Sequence, residues 1–284
     1  MLDHRLTIVI PTLGGNVLSR TINSVMTGSL VPAKVLLVVP TDRIGSVPQF
    51  NFSNIEVLET VFCGQVKQRI AGFSRVKTEF VMQLDDDIEL SQNCVEVMMR
   101  VMQSCSSSTA LSSSLFLPNH KSIFFKKRSR LYYWLLNGKK GYKAGSIYLS
   151  GSAEGVMPDQ NNPLVKADWL PGGCILHRTS NLVLDNFFPF EGKAYCEDLI
   201  HSVMLREKKV NLFFVSNARA TLEMVSYTEY DLNIFIKCIV QDYHARRLLI
   251  KLLNIKSKRI YIFYIIIILN YLYSFLLSRK RNEA

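Results

Sequence analysis

The sequence predicts an α/β protein: an open, mainly parallel sheet flanked by helices, followed by a C-terminal helical tail suited to a membrane. Three observations predict it. Near-continuous apolar strands alternate with helical patterns through the N-terminal half. A triple aspartate stands at the end of the fourth of those strands. Near the C-terminus, 260–277 (IYIFYIIIILNYLYSFLL) runs without a charge between basic clusters.

LTIVIPT (Leu6 to Thr12) is a β-branched run closed by Pro11, and VLLVVPT (Val35 to Thr41) repeats it after a helical stretch from Val17 to Thr27. NIEVLET (Asn54 to Thr60) and EFVMQL (Glu79 to Leu84) give two more strands around a helix from Gly64 to Val76. The alternation reads as βαβαβαβ, whose strands pair in parallel and whose ligands sit beyond the carboxyl ends of the strands. Asn93 to Gln103 follows as a helix. SCSSSTALSSSLFL then holds a strand near Ala110 to Leu117, its serines read as solvated edge and turn residues. From Pro118 to Lys166 the pattern dissolves into basic and aromatic residues, which predicts an inserted loop or short-helix region over the site. Regularity returns with DWLPGGCILHR as a turn and strand, KAYCEDLIHSVMLREKK as a helix with its acidic pair at the N-terminal end, and Val210 to Ala220 as a strand. The tail starts with Leu232, Ile236, Ile239, Val240 and Tyr243 at helical spacing. The division expected is 1–225 as the α/β domain and 226–284 as the basic, apolar tail.

At 284 residues the chain can bury a full core, and 34 Lys and Arg against 23 Asp and Glu leave a formal charge of +11. An anionic partner or surface follows from that charge, which clusters at Lys126 to Arg130, at Arg246, Arg247 and Lys251, and around the last apolar run. Asp3, His4 and Arg5 interrupt the N-terminus, so no signal peptide is expected. Six cysteines show no C-x-x-C pair and no zinc spacing, the pattern of reduced, buried thiols. The charge-free run spans roughly 27 Å as a helix, enough for a bilayer core. A membrane span, a helix lying in the membrane surface and a buried soluble helix all stay open for it.

Three adjacent carboxylates, Asp85, Asp86 and Asp87, repel one another and need a countercharge in a folded loop. A divalent cation on hard oxygen ligands supplies it, and Mg²⁺ or Mn²⁺ held by one or two carboxylates completes its shell with phosphate oxygens. The bland alternative is a solvated acidic turn before a helix. Gly172 and Gly173 after Pro171 would let the backbone approach a ligand closely, or simply form a turn.

From Leu6 to Ala220 the sequence resembles the inverting glycosyltransferases of family 2, of the bacterial surface-polysaccharide type. The resemblance rests on the strand ending IPT, a second strand ending near Asp42, the helix bearing Lys67 and Arg69, LDDD, PGGCILHR and CED, in that order. It implies a GT-A fold, a nucleotide-sugar donor and a manganese or magnesium ion. It places Pro11, Thr12, Asp42, Lys67, Arg69, Asp85, Asp86, Gly172 and Gly173 around the donor, with Asp85 and Asp87 at the metal. The CED pair resembles the general-base motif, with Asp198 as the base and Glu197 beside it. A carboxylate that takes the acceptor hydroxyl's proton, and a cation that stabilises the departing diphosphate, are what direct displacement needs. Family members often carry a histidine after the late strand; this chain reads NARATLEM there, leaving the place to another group or to water. His201 is read as structural.

The acceptor expected is a glycan, plausibly a lipid-linked oligosaccharide in cell-surface polysaccharide assembly, at the cytoplasmic face of the inner (plasma) membrane. The basic and aromatic residues of Phe124 to Lys143, with the tail, suit headgroups and phosphates. Two rival readings exist. A Mg-dependent nucleotide hydrolase would need a P-loop, and GGNVLSRT lacks its second glycine and lysine. A non-enzymatic basic module binding membrane or polyanion would have no use for clustered aspartates; no nucleic-acid motif occurs, and no nucleic-acid partner is expected.

Overall fold

The computed structural model describes residues 2–124, 128–191, 193–223 and 231–282, with side chains as far as 276. Its centre is one nine-stranded mixed sheet in the order β3-β2-β1-β4-β8-β6-β9-β5, with β7 also on β9. The first half is β1 (Leu2–Pro11), α1 (Val17–Met26), β2 (Val31–Pro40), β3 (Ile55–Thr60), α2 (Gln65–Phe73) and β4 (Phe80–Leu84). β3, β2, β1 and β4 pair in parallel, as the apolar runs predict. Leu18, Ile22 and Val25 recur at helical spacing along α1 and bury one face against Ile8 and Ile10 of β1. α2 lies on the other face. A Cβ on its Gly72 would come within 2.4 Å of Val9, so only glycine lets this helix sit so close to β1.

Beyond β4 the sheet becomes mixed. β5 (Ile88–Leu90), a three-residue strand, and β7 (Leu164–Ala167) are too short to show as patterns, and neither is anticipated by the sequence. α3 (Cys94–Ser104) leads to β6 (Thr109–Phe116), and α4 (Arg130–Asn137), a helix of eight residues, lies in the stretch expected to be an inserted loop or short-helix region. β8 (Cys174–Arg178), α5 (Glu197–Glu207) and β9 (Asn211–Leu222) complete the body. β8 runs antiparallel to β4 with Cys174 opposite Leu84, which sets the two glycines before β8 beside the aspartates after β4.

The serines of β6 correct the sequence reading. Ser112, Ser113 and Ser114 are buried, because β6 lies inside the sheet between β8 and β9. The hydroxyl of Ser112 donates to the carbonyl oxygen of Cys174 and that of Ser114 to the carbonyl oxygen of Val215, so these two small polar side chains are satisfied by backbone.

α6 (Leu232–Leu252) and α7 (Arg259–Asn282) form the tail. The stripe expected on α6 is helical but does not face the body: Leu232, Ile236 and Val240 are exposed, and the buried positions are Ala245, Arg246 and Leu249. The first half of α7 touches α4 and α6; Arg259 donates to the carbonyls of Trp134 and Leu135, and Tyr264 to Asp242. The 18-residue window Arg259–Leu276 has mean hydropathy 1.7 and is 11% buried, so α7 is not a core helix. The boundary expected at 225/226, and Lys126 and Lys127 of the mid-chain basic cluster, lie outside the described residues.

Candidate active site

The chemistry-bearing residues gather where β1 and β4 end and α2 and α5 begin. β4 is fully buried up to Leu84, and the chain then turns out, so Asp85, Asp86 and Asp87 stand half-buried at its end. The Asp85 N–H donates to the carbonyl of Gly173 at 2.8 Å, and the Gln83 side-chain amide donates to Gly172. These bonds fix the strand end to the glycine turn.

α2 starts at Gly64, and its residues Gln65 and Arg69, four apart and therefore on one face, both donate to Asp85 Oδ1 at 3.0 Å. The second arm of Arg69 donates to Glu197 Oε1 at 2.9 Å. Arg69 is 3% exposed and bridges two carboxylates from distant parts of the chain. Burial works against its charge, but Glu197 and Asp85 outweigh that and hold its pKa above the ordinary value. Glu197 in turn is pushed up by burial, against the pull of Arg69.

The three aspartates differ. Asp85 is engaged by Arg69 and Gln65. Asp86 accepts from the Thr12 hydroxyl, and its backbone carbonyl accepts from Thr21; burial raises its pKa, despite the Thr12 bond that acts the other way. Asp87 has no cation opposite it among the described residues, and burial together with Asp85 and Asp86 pushes it up to about 6. Glu223 takes the place after the late strand. Its N–H donates to the Asp87 carbonyl, while its carboxylate is held by Arg20.

These residues fit a divalent cation in the manner of phosphate-bound Mg²⁺ or Mn²⁺. Asp85 Oδ2 is left without a hydrogen bond among the described residues and Asp87 without a countercharge there, and the repulsion between the aspartates is what a cation relieves. Among the described residues no three His, Cys, Asp or Glu side chains form a closed cage, so the remaining ligands would be phosphate and water.

α5 is preceded by Cys196 in a left-handed conformation (φ 59°), and the helical turn of roughly 100° per residue sets Glu197 and Asp198 in different directions. Glu197 is 5% exposed and bound to Arg69. Asp198 Oδ1 accepts from the Leu199 N–H at 2.8 Å, and among the described residues nothing bonds Oδ2. Burial and the neighbouring Glu197 push the Asp198 carboxyl up to about 7. A carboxyl that titrates near neutrality and has an open oxygen is suited to proton transfer.

Two cavities flank this chain of bonds. One of about 660 Å³ is lined by Pro11, Thr12, Gly64, Lys67 and Asp86, with Phe188, Phe190 and Lys193 among the rest. The other, of about 300 Å³, opens on Asp198. The structure thus brings Pro11, Thr12, Lys67, Asp85, Asp86, Gly172, Gly173, Glu197 and Asp198 to one end of the sheet. Arg69 is turned inward rather than toward a cavity. Asp42 stands on an exposed turn (Thr41–Ser46) that follows β2 and touches the loop after β1, its side chain 75% exposed and beside Arg43. Gly172 has a steric reason as well: a Cβ there would lie 2.7 Å from Glu197 Oε1.

Sequence reading missed Gln65, Thr21, Gln68 and Glu223. Gln68 donates to the carbonyls of Thr12 and Val38 and pins α2 to the strand ends. The spacing of Gln65 and Arg69 on a helix just before an acidic strand end is the signal that carries the first of these. Behind the site His177 and His201 lie 5.6 Å apart with Phe187 stacked on His201; burial, aided by Arg69, pushes His177 down to about 3 and His201 well below its usual value. Both are therefore neutral filling.

No family model and no curated protein matches the chain. Among solved structures it is similar to GalNAc-T7 crystallised with UDP, GalNAc and Mn2+, at TM-score 0.57 and 14% identity, covering 78% of this chain and 43% of that one. It is also similar to TarS 1-349 of S. aureus in complex with UDP-GlcNAc, at TM-score 0.51 and 14% identity, covering 90% of this chain and 68% of that one. The chain therefore spans less than half the length of the GalNAc-T7 chain. At such identity the likeness is one of fold: the nine-stranded mixed sheet with its flanking helices is a GT-A fold.

Proposed function

We propose that the protein is an inverting, family 2-like glycosyltransferase that moves a sugar from a nucleotide-sugar donor to a glycan acceptor. The observation that carries this reading is that two cavities, one lined by Asp86 and one by Asp198, accompany a single bonded cluster of charged side chains. Asp86 opens on the larger cavity and Asp198 on the smaller, and Asp85, Arg69 and Glu197 tie the two sides together. The fold neighbours, one with UDP and Mn2+ and one with UDP-GlcNAc, support a nucleotide-sugar donor.

In this reading the larger cavity holds the nucleotide, with Lys67 toward its phosphates and Thr12 orienting Asp86. Asp85 Oδ2 and Asp87 would hold a Mn²⁺ or Mg²⁺ ion, and the chemistry that ion would supply is neutralisation of the charge on the diphosphate. Asp198 Oδ2 takes the proton of the acceptor hydroxyl as that oxygen attacks the anomeric carbon. Glu197, the other carboxylate of the pair, is locked by Arg69 and acts as a positioning residue. With Asp198 acting as base and the acceptor oxygen attacking directly, the reaction is a single displacement, and hence inverting.

The exposed apolar face of α7, its basic flanks and the lining of the small cavity by neighbouring helices support a lipid-linked acceptor at the cytoplasmic face of the inner membrane, in cell-surface polysaccharide assembly. The test is transfer of radiolabel from a panel of nucleotide sugars into an organic-extractable product, using membranes as acceptor source, with wild type and Asp198→Asn. Label transfer by wild type and none by the variant is expected. Equal transfer by both would remove the assignment of the base.

A further inference from the structure

The tail does more than present an apolar face. The cavity of about 300 Å³ beside Asp198 is lined by residues from four separate parts of the chain: Tyr132 of α4, Glu154 and Trp169 of the connecting segments, Arg246 of α6 and Phe263 of α7. Its volume is that of roughly ten waters, the scale of a single hexose ring.

The lining has a particular chemistry. Trp169 is fixed by a bond from its indole N–H to the Glu154 carbonyl at 2.9 Å and by edge contacts with Phe124 and Phe214. Aromatic rings and carboxylates share the wall. An alkyl chain would meet carboxylates there, whereas a sugar offers C–H faces to the rings and hydroxyls to the polar groups. Asp198 Oδ2 opens into the same space, where an acceptor hydroxyl has to lie for its proton to be taken.

The outer wall is braced from the tail. Arg246 is 8% exposed; it donates to the carbonyl of Gly151 at 2.6 Å and grips Asp242 with two further bonds, and its guanidinium lies 4.5 Å from the Phe263 ring. Tyr264 of α7 donates to the same Asp242 at 2.6 Å. Removing α7 would therefore open the cavity at Phe263 and take away the Tyr264 bond to Asp242.

We propose that this cavity seats the terminal sugar ring of the acceptor, and that α7 is part of the substrate site because Phe263 forms its outer wall. The proposal rests on the transferase reading and adds the place and class of the acceptor group and the second task of the tail.

The test uses the full chain in a phosphocholine detergent, which carries no sugar. Trp134→Phe leaves Trp169 as the only tryptophan. Its emission is followed during titration with the methyl glycosides of glucose, galactose, mannose and N-acetylglucosamine, with glycerol as a polyol control. At least one glycoside should give a saturable change that glycerol does not. Phe263→Leu, which keeps an apolar side chain, and separately Tyr132→Ala should each weaken it about fivefold or more, with calorimetric binding of nucleotide sugars unchanged. No saturable change with any glycoside, or the same affinity in both variants, overturns the proposal. Glycoside binding without any nucleotide-sugar binding would sink the transferase reading and leave the cavity as a sugar site; the reverse result would sink the cavity alone.

Discussion

Replacing Arg69 with methionine keeps most of the side-chain volume and removes the cation shared by Asp85 and Glu197, at 3.0 and 2.9 Å. Stranding one partner of a buried pair costs about 3–5 kcal/mol. Glu197 is almost wholly enclosed and bears that penalty, while the Asp85 side chain, 22% exposed, is partly rehydrated and adds little. A loss of about 3–4 kcal/mol is therefore expected, or roughly 6–16 °C in Tm at about 2–4 °C per kcal/mol for a large domain. The loss depends on pH. Glu197 already has a folded-state pKa raised above 4.5, and without Arg69 it rises further, so the folded state keeps a proton that the unfolded chain releases. Stability then falls as pH rises above that unfolded value, and the gap to wild type is wider at pH 8 than at pH 5. Arg69→Met with Glu197→Gln removes both charges of the enclosed pair and should recover about 2 kcal/mol. The assay is thermal unfolding of the full chain in detergent at both pH values. A Tm fall under about 2 °C, or strictly additive effects in the double variant, would refute the claim that this bridge holds the two halves of the site together.

Asp198→Asn should cut transfer by about 10²–10⁴-fold while calorimetry shows donor binding intact. Because the Asp198 carboxyl is pushed up to about 7 and must be ionised to act, kcat/KM should fall tenfold per pH unit below that value, and a flat profile from pH 5 to 8 would contradict the assignment. Gly172→Ala sets a Cβ 2.7 Å from Glu197 Oε1 and should lower both Tm and activity, whereas Gly45→Ala, with open space around it, should change neither. Deleting residues 254–284 should abolish flotation with phosphatidylglycerol vesicles; undiminished flotation would place membrane binding elsewhere.

The parallel half of the sheet was legible because β1, β2 and β4 are apolar runs with helical patterns before or after them, although only the short turn Thr41–Ser46, and no α-helix, joins β2 to β3. β5 and β7 were not, since three or four residues hold no period, and their pairing is decided by β9. The buried serines of β6 read as surface because polarity alone does not reveal a hydroxyl satisfied by a carbonyl two strands away in sequence. At the site, the aspartates and the CED pair stood out through type and order. Which way each side chain points did not. The different directions of Glu197 and Asp198 follow from where α5 starts, and the inward turn of Arg69 follows from the two carboxylates the fold brings to it. The small cavity was illegible for the same reason: its lining is drawn from residues more than a hundred positions apart.

The central claim is that the strand-end aspartates bind a nucleotide sugar through a divalent cation. Calorimetric titration of nucleoside diphosphates and their sugars, with Mn²⁺ and with chelator, on wild type and Asp87→Asn tests it most directly. The account predicts binding of one nucleotide that requires the cation and is weakened by at least tenfold in the variant. Binding that is equally strong with chelator, or no binding of any member of the panel, would contradict it.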